Sequence, residues 1–457
     1  MAGAAATTGR GEDRVIRKSK ALAFALTAAL FLVACGGSTS PTTGTVTFKG
    51  TKKVGYSGAL SGGAALYGHA ASQALKLAAA DINAKGGVNG YKIEMDILDD
   101  ATQVQNAVDN TKQMILQDSV VAMMGPVTSA QCQATSPISK QSKVVYIAAT
   151  CNSYQLMTEP DLINPYYVSV VPNTYMEGIA AANVVAKVGA KRIFIVSPKY
   201  LFGISETNAF VTGLKKAAPS STIVNDPATW YVPFPTNPRW DSTISAIQAA
   251  KPDLVYSNIF AGDEINFIKQ ALGVDPDFFK KYPMTTLSSV DEINTLRDTF
   301  PLGMHLYMRA PFFALGNPAL DKFAARYEAA YPGDFPSDWA IMDYDAFQVW
   351  ATAANKAGSF DADKVMKEIV GKSFASLRGY NFTIRPGDQQ ANVGETIGDT
   401  VSSNGKYPFP VLANSQNLNG NDTIMPVTMM NELREGKCEK GGDPKTTDFA
   451  LCPSFGK

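Results

Sequence analysis

At 457 residues the chain exceeds what one ordinary hydrophobic core serves, so its length predicts two lobes. Its 41 Lys and Arg are balanced by 41 Asp and Glu, which excludes the basic field that nucleic-acid binding needs. With 45% apolar residues and no long charge run, the composition predicts a normal globular core.

The N-terminal segment reads as an address. Arg14, Arg17, Lys18 and Lys20 precede an apolar run over 21–33, too short to span a bilayer comfortably and shaped like a signal-peptide core. The run enters Leu32-Val33-Ala34-Cys35-Gly36, which resembles a bacterial lipobox. Residues 1–34 would then be a lipoprotein signal peptide, with the Cys35 thiol acylated. The alternative is a plain secretory signal with an incidental cysteine. Residues 35–51 open with Gly, Ser, Thr and Pro, a composition that cannot pack a core and predicts a flexible tether to the membrane.

The body alternates strand and helix patterns. A strand over 54–56 leads through a Gly/Ser-rich turn over 57–63 to a helix over 67–83, which stops at Lys85-Gly86-Gly87. A strand over 93–98, a helix over 104–117 and a strand over 120–124 follow. This β-α-β-α-β order predicts a parallel sheet whose loops gather at the carboxyl ends of its strands. The loop Gly125-Pro126-Val127-Thr128-Ser129 falls at such an end and opens the next helix. It therefore offers free backbone N–H groups and two hydroxyls to an anion or a carbonyl.

A helix to about 142, a strand over 144–148, the turn Ala149-Thr150-Cys151-Asn152 and a strand over 166–171 complete this unit. A second unit repeats the alternation: strand 192–197, helix 204–217, a Pro-interrupted segment over 230–238, helix 240–250, strand 254–259 and helix 262–272. Short strands are expected over 283–287 and 303–308, helices over 318–331 and 340–356, and a closing strand over 379–384. The tail beyond Gly387 is Asn/Gly-rich and predicts mostly irregular chain.

With Cys35 assigned to lipid, four cysteines remain, an even number suited to an oxidising compartment. The expected pairs are Cys132 with Cys151, just past adjacent strand ends, and Cys438 with Cys452, stapling the Gly/Lys-rich tail. No C-x-x-C spacing occurs and His69 lies far from His305, so neither a metal nor a cofactor is expected. Gly55-Tyr56-Ser57-Gly58-Ala59 lacks the last glycine of a nucleophile elbow, and Gly371-Lys372-Ser373 lacks the earlier glycine of a phosphate loop. No catalytic residue is assigned and no enzyme is expected.

Several of these stretches together resemble the leucine/isoleucine/valine-binding protein family, the substrate-binding lipoproteins of bacterial ABC importers. They are 53–62 (Lys-Val-Gly-Tyr-Ser-Gly-Ala-Leu-Ser-Gly), Tyr67-Gly68, 80–90, Asp99-Asp100, 125–129 and Ala148-Ala149-Thr150. The likeness is dense over the first third and thins to Lys191-Arg192-Ile193, Gly203, Lys251-Pro252-Asp253 and Tyr344-Asp345-Ala346. It implies an α/β fold of the type I periplasmic binding protein, two Rossmann-like lobes with parallel sheets joined by three crossovers. Lobe 1 would comprise 52–171 and 310–379, and lobe 2 would comprise 172–309 and 380–457. Hinges would lie near Pro172, Arg309 and Tyr380.

The resemblance also implies a pocket. Ser129, beside Thr128, matches a serine that holds a ligand carboxylate through its hydroxyl and N–H. Thr150, with Ala149, matches a threonine that contacts carboxylate and ammonium. Ala148 would lend a carbonyl to an ammonium, and Tyr67 matches an aromatic wall. In lobe 2 the chain departs from the family: Phe202 and Phe260 stand where Tyr is common, and no acid aligns around Ser288, where amino-acid binders place one. A buried ammonium without a partner would cost several kcal/mol. The pattern, with Tyr67, Tyr154, Trp339 and Tyr344 placed near the cleft, therefore favours a small apolar or aromatic carboxylate or amide. An amino acid is the second expectation. The implied partners are a membrane permease and the membrane itself, with the protein exported, lipid-anchored and monomeric. A membrane-tethered sensor without transport, or a hydrolase, is the alternative class.

Overall fold

The computed structural model describes residues 47–234, 238–438 and 452–454. The signal segment, Cys35 and nearly all of the tether lie outside the described residues.

The first sheet is parallel throughout and runs in the order β2-β1-β3-β4-β5. Its strands are β1 (Thr51–Gly58), β2 (Lys92–Asp99), β3 (Ala122–Met124), β4 (Val145–Ala148) and β5 (Tyr167–Ser169). A sheet covered on both faces needs apolar residues at every position. Val145 and Ile147 enter the core shared with helices Ala65–Ala84 and Asp338–Ala357, whereas Tyr146 and Ala148 pack with Met114 and Cys132 on the other face.

The second sheet holds β6 (Arg192–Pro198), β7 (Thr222–Ile223), β8 (Tyr231–Val232), β9 (Leu254–Ser257), β10 (Met284–Thr286) and β11 (His305–Met308). Phe194, Val255 and Met284 face the core of helices Asp241–Ala250 and Ala261–Val274. Ile195, Tyr256 and Tyr307 face helices Thr174–Val188 and Leu201–Ala217.

Three features differ from the sequence reading. A hairpin of β12 (Ser373–Ala375) and β13 (Asn381–Thr383) stays with the first sheet, because Ala391 N–H donates to Ser169 O at 2.8 Å and Gln390 Nε2 to Val171 O at 2.7 Å. The third crossover therefore follows Asn392 and is not at Tyr380. The tail is also more regular than expected. β14 (Glu395–Val401) pairs antiparallel with β11, and β15 (Val411–Leu418) pairs antiparallel with β14, extending the second sheet.

Beyond β15, the helix Val427–Arg434 crosses between the lobes. Met429 and Met430 share one apolar cluster with Tyr154 of the first lobe and Tyr175 and Ala209 of the second. Arg434 donates to Met157 O from Nε at 3.1 Å and Nη2 at 2.7 Å. The tail thus straps both lobes, whereas the sequence reading had assigned it to lobe 2. Cys132 is joined to Cys151, and Cys438 to Cys452.

Candidate functional site

The carboxyl ends of β3 and β4 set the first wall of a cavity between the lobes. Thr128 caps the helix Ser129–Ser142 through a reciprocal bond with Gln131, so its side chain is spent on the helix and does not line the cavity. Ser129 is the first helical residue, and the N–H groups of a first turn have no intrahelical acceptor. Its Oγ accepts from the N–H of Asn152 at 3.3 Å and of Ser153 at 3.2 Å, which leaves the hydroxyl proton for a ligand. Thr150 Oγ1 donates to Pro126 O at 2.9 Å, so it faces the cavity as an acceptor.

Rings build the rest. Tyr67 stands 4.2 Å from Trp339 and 5.7 Å from Phe260 between centroids. Phe202 meets Phe260 edge-on at 5.7 Å, and Tyr200 completes this side. Phe202 reaches its place because the turn from β6 into the next helix is tight. A Cβ on Gly203 would lie 2.1 Å from Pro198 O, closer than any side chain tolerates. Val127, Asn152 and Leu287 fill the gaps between the polar wall and the rings, and the free volume left is about 20 Å³.

Arg309, directly after β11, brings the charge. Its guanidinium lies 4.3 Å from the Trp339 ring centroid, and its Nε donates to Glu177. Its one hydrogen bond to a described residue is that from Nε, and Arg309 is among the residues lining the cavity. No acidic side chain is among the described residues lining that cavity. Glu292 is fully occupied: it accepts from Tyr67 Oη, from Ala261 N–H at 2.7 Å, and from the Ser289 N–H and hydroxyl. These bonds also latch the lobes, since Tyr67 belongs to the first and Glu292 to the second.

Of the residues expected at the site, Tyr67, Ser129, Thr150, Phe202 and Phe260 meet at this cavity, as does Trp339. The others do not. Ala148 and Ala149 are buried in the packing of the first lobe. The Ser288 hydroxyl is turned to buried Glu264. Tyr344 donates to Asp81 at 2.7 Å and packs on Phe323, away from the cleft, and Tyr154 is taken up by the C-terminal strap. Arg309, Asn152, Tyr200, Val127 and Leu287 were not expected. For Arg309 the available signal was a lone cation inside the apolar run Leu306 to Phe312, which demands a partner. The described residues hold one cluster of metal-ligating types, Glu432 with Cys438 and Cys452, and its cysteines are joined in a disulfide.

Two α/β lobes joined by three crossovers around a ring-lined cavity define a solute-binding protein of the two-lobed type. The sequence profile of the family described as "Periplasmic binding protein" matches residues 51–400, and the chain belongs to that family. Among its relatives, the Leu/Ile/Val-binding protein homolog 7 of Brucella abortus (strain 2308) is 23% identical over 350 residues, covering 72% of this chain and 84% of that protein. Among solved structures, a solute-binding protein of an ABC transporter from Rhodopseudomonas palustris BisB5, in complex with 3,4-dihydroxybenzoic acid, superposes with a TM-score of 0.69. It is 24% identical, covering 81% of this chain and 98% of that one. A second from R. palustris, in complex with benzoate, gives a TM-score of 0.68 at 21% identity, covering 81% and 96%. Members of this family act outside the cytoplasm. Among the described residues no helix is long and apolar enough to cross a membrane.

Proposed function

We propose that this protein is the receptor of an ABC importer, held at the membrane by lipid on Cys35 and closing as a monomer on an aromatic or apolar carboxylate, which it passes unchanged to its permease. One observation carries the ligand class: the charged side chain among the described residues lining the cavity is a cation, Arg309, set among five rings, and no acid lines the cavity with it. An α-amino acid needs an anionic partner for its ammonium, and leaving that group unpaired in a dry site costs several kcal/mol. A benzoate-like acid needs the reverse, donors for one carboxylate and flat apolar walls for a ring. Ser129 Oγ–H, the first-turn N–H groups and the Arg309 Nη groups are such donors. The similarly folded proteins that bind benzoate and 3,4-dihydroxybenzoic acid are consistent with this choice.

Binding would follow from closure. With the lobes apart the cavity is open to water. Bringing Tyr67 onto Glu292 and Phe260 completes the walls, so a ligand that touches both lobes selects the closed form. Native mass spectrometry of the purified protein tests the reading. A retained aromatic or aliphatic acid is expected, and a retained leucine, isoleucine or valine would overturn the ligand class.

A further inference from the structure

Arg309 is one of four buried charged groups that meet at the second lobe's side of the cavity. Glu177 on helix Thr174–Val188, Glu206 on helix Leu201–Ala217 and Glu395 on β14 are all inaccessible to solvent or nearly so. Three carboxyls therefore share one guanidinium. Glu177 Oε1 accepts from Arg309, and Glu206 Oε1 accepts from the hydroxyls of Tyr256 at 3.1 Å and Tyr307 at 2.7 Å. Among the described residues, the other oxygens of Glu177 and Glu206 and both oxygens of Glu395 meet no partner in hydrogen-bond geometry, although Asn152 and Asn258 lie near the first two. Three ionised carboxylates would leave two uncompensated negative charges in a dry interior, so burial raises the pKa of all three.

The neighbouring groups do not change that balance. Tyr67, Tyr200, Tyr256 and Tyr307 face the set, and burial raises each of them well above the usual phenol range, so they stay neutral. Asp338, on helix Asp338–Ala357, senses Arg309, but its Oδ1 is committed to Ala310 N–H. Arg309 stays cationic, with Glu177 offsetting the penalty of burial.

We propose that binding of an anionic ligand in this cavity is coupled to uptake of a proton by the Glu177–Glu206–Glu395 set, so that the carboxylate is held tightly in neutral or acidic surroundings and released in alkaline ones. This rests on the reading of the ligand as a carboxylate. The ligand's negative charge competes with the three carboxyls for the one guanidinium, and the set answers by holding a proton it would otherwise lose to water. No bond within the ligand changes; the proton comes from solvent and joins a carboxylate oxygen. The group placed to titrate is Glu206, pushed up to about 8 by burial and then by Glu177. Burial shifts Glu177 and Glu395 in the same direction. Because the bound state carries more protons, affinity falls as pH rises through that region, with a slope approaching tenfold per pH unit.

The test is titration calorimetry of the purified protein with benzoate and with benzamide, its neutral counterpart, from about pH 6 to about pH 9 in two buffers of different ionisation heat. For the wild type, benzoate heats are expected to differ between buffers in the sense of proton uptake. Benzoate affinity should fall above about pH 8, while any benzamide binding stays level. Glu206→Gln should flatten the benzoate profile. Benzoate binding with no proton uptake and a level profile overturns the coupling and leaves the ligand class standing. An unchanged slope in Glu206→Gln overturns it too. Binding of neither compound at any pH overturns the ligand class, and the coupling with it. The two-buffer comparison needs no variant.

Discussion

Ser129 shows how few atoms carry recognition. Its hydroxyl oxygen is held by two backbone donors, so its single proton points to the one unfilled direction, the cavity. Ser129→Ala is expected to weaken an acid ligand by roughly ten- to a hundredfold, the range for a hydrogen bond to a charged group. It also strands two buried N–H groups, at about 1–3 kcal/mol of stability. Calorimetry and thermal unfolding of the same variant separate the two effects. Ser129 and Thr150 were legible because each lies in a short motif just after a strand end that resembles the family's, and Tyr67 because the resembling pair Tyr67-Gly68 opens the helix Ala65–Ala84. Arg309 was not, because its partner Glu177 is 132 residues away and only the folded sheets bring the two together. Tyr344 was misplaced for a helical reason. It lies five positions after Trp339, which turns it by roughly 140° around the helix and onto Asp81.

Among the elements, the β-α-β alternation was readable from periodicity because β3, β4 and β5 are buried throughout and β2 alternates apolar Ile93, Met95 and Ile97 with polar neighbours. β14 escaped that signal. Its sequence Glu395-Thr-Ile-Gly-Asp-Thr-Val mixes polar residues with a central glycine, and it is a strand because β11 and β15 supply its hydrogen bonds. The strap Val427–Arg434 was hidden as well, since its methionines fill a gap that exists only once Tyr154 and Tyr175 are side by side. The strap's far end is fixed by the bond between Cys438 and Cys452, which are 14 residues apart. Replacing both cysteines by serine should lower stability by about 3 kcal/mol, the usual scale for a loop of this length. The loss should appear first as faster proteolysis or hydrogen exchange over 427–438, with the sheets still protected.

For the molecule as a whole, buried carboxyls set the pH dependence of stability. Glu206 and Glu264 are each raised from 4.5 to about 8, first by burial and then by a neighbouring carboxylate, Glu177 and Glu292 respectively. Between those values the folded chain holds protons that the unfolded chain has lost. Their stabilising contribution is therefore complete below the unfolded pKa and disappears as pH rises through the folded one. The ligand-free protein should melt at a higher temperature near about pH 5 than near about pH 8, and Glu264→Gln should reduce that difference. A cavity that presents a guanidinium inward, with no acid among its described lining residues, is suited to an anion with an apolar body. Calorimetry at neutral pH with benzoate, 4-hydroxybenzoate and leucine tests that directly. Binding of an aromatic acid with no heat from leucine is the expected result. Tight leucine binding with neither aromatic acid bound would contradict it.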